Sequence, residues 1–476
     1  MTLRILLTAL LGALSLAAAD KPNFILLFAD DQGWYDLGIQ GHPDIRTPNI
    51  DRMARQGMRF TSFYAAPFCG PSRAALMTGC YPPRVSLAFN HGPKSTTGIH
   101  PDELTMAELL KGAGYATQMI GKWHLGSKKP YLPHYNGFDH WFGLPYSNDM
   151  WPYHPMMPPK PGEDERMQAA RKRADYTGYA GQGRHYDLDK GQGFPENLPL
   201  MSDDEVLEFN PDQTQLTKRY TDVALDFIES NRDKPFFLYL PYAMPHVPLF
   251  VSKQHAGQSI RGLYGDVVEE LDWSVGRILD KLKELGLDEN TLVVYTSDNG
   301  PWLQYGVDGG SAGMFRDGKG TTYEGGMRVP GIFRYPGKIP AGQVSSEPVA
   351  NMDVLPTFAR LAGVEPPSDR TLDGRDLWPL LSGERKQSPH EQFYYFGGGR
   401  ERANIRAVRE GKWKLHVQRP RNGGDLEATA LYDLNEDAAE KFDRLKLYPD
   451  LARRLLAATE SFVRELEAHV RPLGGE

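Results

Sequence analysis

Short apolar runs separated by amphipathic stretches constrain this chain more than any other feature. Phe24–Ala29, Ala116–Ile120, Phe236–Leu240, Leu292–Thr296 and Gly331–Arg334 are apolar and of strand length. Ile50–Gln56, Thr105–Lys111, Gln215–Ser230, Leu263–Leu285 and Val354–Leu361 read as helices between and after them. A continuous apolar run suits a strand buried on both faces, and helices are the usual connections between parallel strands. The alternation predicts an α/β fold, a mainly parallel sheet flanked by helices. Ligands of such sheets bind at the carboxyl ends of strands, so the residues that follow each run are where chemistry is expected.

The 476 residues suffice for one large domain and a smaller one. Residues 20–384 form the expected larger domain, the one whose strand ends would carry the chemistry. Within it, about 150–213 is rich in Pro, Gly, Met, Tyr and charge, and reads as an irregular insertion. From 385 to 476 the runs Gln392–Phe396, Asn404–Val408, Trp413–Val417 and Leu431–Leu434 precede a charged amphipathic stretch, Pro449–Val470. That pattern predicts an α+β subdomain with an antiparallel sheet. Residues 1–19 read as an export signal: Arg4, an apolar core from Ile5 to Leu14, then Ala17-Ala18-Ala19. The expected location is therefore periplasmic or extracellular. No later segment is long and apolar enough to span a membrane. A net charge of −7 gives no footprint for nucleic acid as the main partner.

Cys69-Gly-Pro-Ser-Arg73 opens the stretch Cys69–Gly79. Pro71 suits a first helical turn and Ala74–Met77 continue it, so Cys69 falls at a helix N-terminus, where an anion is favoured. Arg73 adds a planar charged fork suited to an oxyanion. Cys69 and Cys80 would lie about 15 Å apart along such a helix, too far for a disulfide. Cys80 reads as a small buried hydrophobe. Asp30-Asp31 and Asp298-Asn299 each follow a strand. Either pair alone is an ordinary turn former; together they are hard oxygen donors suited to Ca²⁺ or, less readily, Mg²⁺. Lys122 and His124 follow a third strand, two residues apart, so an extended strand end would point both to one side. His246 sits between Pro245 and Pro248 after a fourth strand, and Lys319 lies in a glycine-rich loop. Each of these alone has a plain structural reading.

Taken in order, Asp-Asp, Cys-x-Pro-x-Arg, Gly-Lys-Trp-His-Leu-Gly, Asp-Asn-Gly and Gly-Lys-Gly-Thr-Thr-Tyr-Glu-Gly-Gly resemble the sulfatase family, in its arylsulfatase A and N-acetylgalactosamine-6-sulfatase branch. The resemblance spans residues 23 to 330, and Leu431-Tyr-Asp-Leu434 is similar to the family's C-terminal region. It implies an alkaline-phosphatase-like fold and a formylglycine made from Cys69 by a maturation enzyme that recognises Cys, Pro and Arg. It also implies one Ca²⁺ held by Asp30, Asp31, Asp298, Asn299 and the modified Cys69. Arg73, Lys122, His124, His246 and Lys319 match family active-site positions, and Ser147 matches a substrate-contacting serine. One residue departs from the pattern: Gly70 stands where Ser or Thr is usual.

The family's mechanism implies attack of an aldehyde hydrate on sulfur. His246 and Lys319 are assigned to the leaving-alcohol side, and His124 to the base that restores the aldehyde. Sulfated carbohydrate is the expected substrate class, with Trp151, Tyr153 and Trp302 as possible stacking platforms or packing residues. A formylglycine-dependent phosphodiester or phosphonate hydrolase, and an inactive glycan-binding relative, remain alternatives. Gly309–Gly313 satisfies Gly-x-Ser-x-Gly, but no strand leads into it, so it is not read as a nucleophile elbow. Gly181-Gln-Gly183 is likewise not read as a dinucleotide loop.

Overall fold

The structure is a computed structural model that describes residues 21–151, 197–399, 404–420 and 423–475, with Glu165, Gln168 and Lys172 as isolated positions between. The segment 1–19, Tyr153, the Gly181-Gln-Gly183 stretch and most of the insertion lie outside the described residues.

Eleven strands form the main sheet. They are β1 (Asn23–Ala29), β2 (Met58–Tyr64), β3 (Ala116–Lys122), β4 (His140–Leu144), β5 (Pro199–Ser202), β6 (Glu205–Phe209), β7 (Phe236–Pro241), β8 (Thr291–Ser297), β9 (Arg328–Arg334), β10 (Gln343–Ser345) and β11 (Val349–Ala350). The order is β10-β2-β9-β8-β1-β7-β3-β4-β5-β6, with β11 also on β2. At its centre β8, β1, β7, β3 and β4 run parallel. Side-chain alternation along β1 sends Phe24, Leu26 and Phe28 into one core and Ile25, Leu27 and Ala29 into the other.

Helices cover both faces. Those of the catalytic part are α1 (Pro48–Arg55), α2 (Cys69–Thr78), α3 (Met106–Gly112), α4 (Leu216–Ser230), α5 (Leu263–Glu284), α6 (Glu324–Met327), α7 (Val354–Ala362) and α8 (Trp378–Leu381). α2, α3 and α7 pack in the core of Phe24, and α1, α4 and α5 in that of Ile25. Thr105 starts α3 with a reciprocal cap: its hydroxyl accepts from Glu108 N, and the Glu108 carboxylate accepts from Thr105 N.

Two features of the sheet go beyond the sequence pattern. Gly331–Arg334 is the end of β9, and β9 runs antiparallel to β8 and β2. The loop that reaches the catalytic edge is therefore the one before β9, which carries Lys319. The close of the insertion is also not irregular, because β5 and β6 pair antiparallel and extend the sheet beyond β4.

In the C-terminal part, β12 (Phe393–Phe396), β13 (Ile405–Glu410), β14 (Trp413–Gln418) and β15 (Glu427–Asp433) form a four-stranded antiparallel sheet, followed by α9 (Pro449–Ala468). This sheet shares a core with Tyr64, Ala75, Tyr81 and Met327 of the catalytic part. The tail then returns: Gly474 bridges Gly98, and Arg471 Nε bonds Glu103 at 2.7 Å. Cys80 is buried and free, as is Cys69. Its surroundings are not purely apolar, since Arg471 Nη2 lies 3.2 Å from its sulfur. Among the described residues no helix is long and apolar enough to cross a membrane.

Candidate active site

The carboxyl ends of β8, β1, β7 and β3 are neighbours in the sheet, and the residues after them converge. Asp30 and Asp31 leave β1 and Asp298 and Asn299 leave β8; all four are buried. Asp31 takes a left-handed backbone (φ 62°). Its N–H donates to Asp298 Oδ1 at 2.9 Å, and its Oδ1 accepts from Asn299 Nδ2 at 2.7 Å. These bonds lock the two strand ends together.

Cys69 is the first residue of α2, and its sulfur lies 3.4 Å from Asp30 Oδ1 and 3.7 Å from Asp31 Oδ1. Asp30, Asp31, Cys69 and His246 each offer an atom within 4.8 Å of the others. Phe68, the cap position, makes no side-chain cap. Instead Asn90 accepts from Gly70 N at 2.8 Å. A Cβ at Gly70 would stand 2.9 Å from Asn90 Oδ1 and 3.2 Å from Phe89 O, so the departure from Ser or Thr matches a loop that fills that space. Nothing in the local sequence pairs Asn90 with residue 70. Burial, then the charge of Asp298, pushes the Cys69 thiol well above its ordinary range despite Lys122 and Lys319. A thiol so held is protonated and a poor nucleophile.

Arg73, one turn along α2, is wholly buried. Its fork does not face an open anion site. Nη2 bonds Asp298 at 2.9 Å and Asp30 at 3.2 Å, and Nη1 donates to Lys122 O at 2.6 Å. The expected oxyanion role gives way to one of holding the carboxylates.

Lys122 ends β3. Gly121 before it has φ 130°, and a Cβ there would fall 1.8 Å from Pro241 O, so this approach of β3 to β7 requires glycine. Lys122 Nζ bonds Asp30 at 2.5 Å and Ser147 Oγ at 3.0 Å. Burial opposes its charge, but Asp30 holds its pKa above the usual lysine value. His124 is not on an extended strand end. The strand stops at Lys122, and His124 is left-handed (φ 69°), its N–H bonded to Pro145 O at 3.1 Å. Both ring nitrogens are buried with no hydrogen-bond partner among the described residues. Burial, then Lys122 and Arg73, drives its pKa well below the ordinary imidazole value, so the ring is neutral. His91, a buried residue with no sequence signal of its own, acts in the same direction.

His246 Nδ1 donates to Val247 O at 2.5 Å, which leaves Nε2 facing Lys319 Nζ at 3.1 Å and Ser147 Oγ at 3.5 Å. Lys319 Nζ also bonds Asp31 at 2.7 Å and approaches the Cys69 sulfur at 3.4 Å. Burial works against the Lys319 charge, but Asp31 outweighs it and keeps the amine protonated. Trp302 stands beside both, whereas Trp151 is buried against Phe250 and belongs to the core. Ser311 of the Gly-x-Ser-x-Gly match braces a loop, its N–H bonded to Asp36.

The donor set fits a hard cation. Asn299 Oδ1 is buried without a hydrogen-bond partner among the described residues, and three carboxylates crowd beside it. Burial and then the Asp30 charge push the Asp298 carboxyl upward, whereas burial of Asp30 is outweighed by Lys122 and Arg73, which hold its carboxyl below the ordinary value. Oxygen donors outnumber the single imidazole, so a zinc pair is not suited to these residues.

A buried cysteine at a helix mouth thus lies among carboxylates, Lys319 and His246 at the carboxyl edge of the parallel strands. The sequence model described as Sulfatase matches residues 22–364, and the chain belongs to that family; it is a sulfuric ester hydrolase. A second model, N-sulphoglucosamine sulphohydrolase, C-terminal, matches residues 310–456. The chain is 40% identical to the steryl-sulfatase of Rattus norvegicus, over 82% of this chain and 76% of that one. It is 41% identical to the N-acetylgalactosamine-6-sulfatase of Mus musculus, over 87% and 75%. The crystal structure of PsFucS1 sulfatase from Pseudoalteromonas sp. superimposes with a TM-score of 0.81 at 29% identity, covering 98% of this chain and 95% of that one.

Proposed function

We propose that this sulfatase is an exported enzyme that removes sulfate from a carbohydrate. The observation that carries the reading is the cluster of Cys69, Asp30, Asp31 and His246, each offering an atom within 4.8 Å of the others, with Lys319 bonded to Asp31 and Lys122 to Asp30. The similarity to N-acetylgalactosamine-6-sulfatase supports a sugar alcohol. Steryl-sulfatase similarity favours a second reading, an apolar alcohol.

Formylglycine made from Cys69 would supply, as its hydrate, the nucleophile that the protonated thiol cannot be. A Ca²⁺ held by Asp30, Asp31, Asp298 and Asn299 would supply Lewis-acid charge to a sulfate oxygen. The chain's own residues do the rest. Lys122 and Lys319 offer fixed positive charge to the sulfate oxygens, and the mouth of α2 adds its N-terminal dipole. Arg73 holds Asp30 and Asp298 in place. Ser147 orients Lys122 and His246 from between them. His246 and Lys319 share a hydrogen bond from which a proton can pass to the departing alcohol oxygen. Neutral His124 can accept a proton on the nucleophile side.

Two measurements test this. Mass spectrometry of the Cys69 peptide should show the aldehyde or its hydrate. Matched sulfate and phosphate esters of one sugar alcohol should differ in kcat/KM in favour of sulfate. Faster turnover of the phosphate would transfer the assignment to a phosphohydrolase, and an unmodified thiol in native protein would favour a glycan-binding role.

A further inference from the structure

We propose that Trp302 is a positioning residue for the His246–Lys319 pair and thereby sets which sulfate esters are cleaved. This rests on the sulfatase reading above and goes beyond it. The Lys319 ammonium lies 4.1 Å from the centre of the Trp302 ring. The His246 ring meets the same indole edge-on, with centroids 5.4 Å apart and planes at 69°. Behind it Tyr305 packs edge-on at 4.6 Å, and Gln304 Oε1 accepts from the indole N–H at 3.3 Å. The preceding residue acts on the same lysine, since Pro301 O accepts from Lys319 N at 2.9 Å. One short segment, directly after Asp298 and Asn299, thus grips Lys319 by backbone and by side chain.

A lysine stem is flexible, and Asp31, 2.7 Å from the ammonium, pulls it toward the carboxylates. The indole face also attracts the ammonium, 4.1 Å from its centre, and holds it 3.1 Å from His246 Nε2. Tryptophan has the strongest such face among side chains. Asp31 Oδ2 also lies 3.5 Å from His246 Nε2, so without the indole the ammonium stays on that carboxylate but is free to move to its Oδ1 side, away from the imidazole. The loss falls on the step that protonates the leaving alcohol. An alkyl or sugar alkoxide needs that proton, whereas a nitrophenolate departs without it.

The test compares Trp302→Leu and Trp302→Phe with wild type on a sugar sulfate and on nitrophenyl sulfate. Trp302→Leu should lose about 10-fold or more in kcat on the sugar ester, about 1.4 kcal/mol of barrier, with KM little changed. It should lose no more than about 2-fold on the nitrophenyl ester, and Trp302→Phe should restore most of the difference. Equal losses on both esters would overturn the proposal, and so would a rise in KM confined to the sugar ester, which marks a stacking platform. Wild-type turnover of the two sulfates tests the sulfatase reading separately. NMR needs no turnover: the nuclear Overhauser contact between the Lys319 ε-methylene and the His246 ring should weaken in Trp302→Leu and return in Trp302→Phe, and an unchanged contact in Trp302→Leu would also overturn the proposal.

Discussion

Replacing Lys414 by methionine probes the joint between the two parts of the chain. Lys414 on β14 has no solvent exposure, and its ammonium bonds Glu440 at 2.9 Å, Glu324 at 3.0 Å and Thr322 O at 2.8 Å. Glu440 in turn accepts from Glu324 N at 2.7 Å, and its carbonyl accepts from Arg316 at 3.0 Å. C-terminal residues therefore clasp both ends of the loop that carries Lys319. Removing one partner from a buried ion pair costs about 3–5 kcal/mol, because the remaining charge is stranded. Here the lower end applies. Glu324 keeps Tyr64 Oη at 2.6 Å, Tyr395 Oη at 3.1 Å and Arg328 at 3.2 Å, and Glu440 keeps His416 at 2.7 Å. Urea unfolding should show a loss of about 3 kcal/mol at pH 7.

The pH dependence carries a sign. Burial would raise the Glu324 carboxyl, but Lys414, Arg328 and Arg409 hold it below its ordinary value. A depressed carboxyl contributes stability above its unfolded pKa, about 4.5, and that contribution is lost as pH falls through the folded pKa. Lys414→Met removes the strongest of these charge interactions. Its deficit against wild type should be full at pH 7 and should narrow as the medium approaches the carboxylate range. Adding Glu440→Gln should recover about 1 kcal/mol by removing one stranded charge. A deficit under about 1 kcal/mol at pH 7, or one that widens on acidification, would refute this account of the joint.

Cys69→Ala and Cys69→Ser should fold, by circular dichroism and melting temperature, and lose nearly all turnover; wild-type-like activity in Cys69→Ala would remove the nucleophile assignment. Purified active enzyme should contain about one Ca²⁺ per chain by elemental analysis, with activity lost on chelation and restored by Ca²⁺ rather than by Zn²⁺. Asn90→Ala should destabilise by about 1 kcal/mol in urea, since the Gly70 N–H loses its cap; an unchanged midpoint would show that the bond contributes nothing.

Much of the site was legible because its residues are tied to strand ends and to one helix start, both of which local pattern reveals. Asp30-Asp31, Asp298-Asn299, Lys122 and His246 follow runs whose period and apolarity mark them as buried strands, and Cys69 precedes a stretch of helix formers. Roles were less legible than places. The Arg73 fork turns toward carboxylates because the charges nearest it are Asp30 and Asp298, which come from two other strands. His124 reaches its buried position through a left-handed backbone that no alternation rule anticipates. Trp151 and Trp302 look equivalent along the chain, yet one packs in the core and the other flanks Lys319.

By itself the sequence determined what depends on near neighbours: strands β1, β3, β7, β8 and β9, helices α1 to α5 and α7, the two-faced burial of β1, the helix mouth at Cys69, and the family through its ordered motifs. Only the tertiary structure decided the antiparallel course of β9, which brings Lys319 to the catalytic edge from before its strand rather than after it. It alone joined Asn90 to Gly70, Trp302 to His246, and Glu440 and Lys414 to the Lys319 loop. Those contacts bring together segments that local pattern leaves unrelated, and they form because burial demands a partner for every charge and polar group it takes from water.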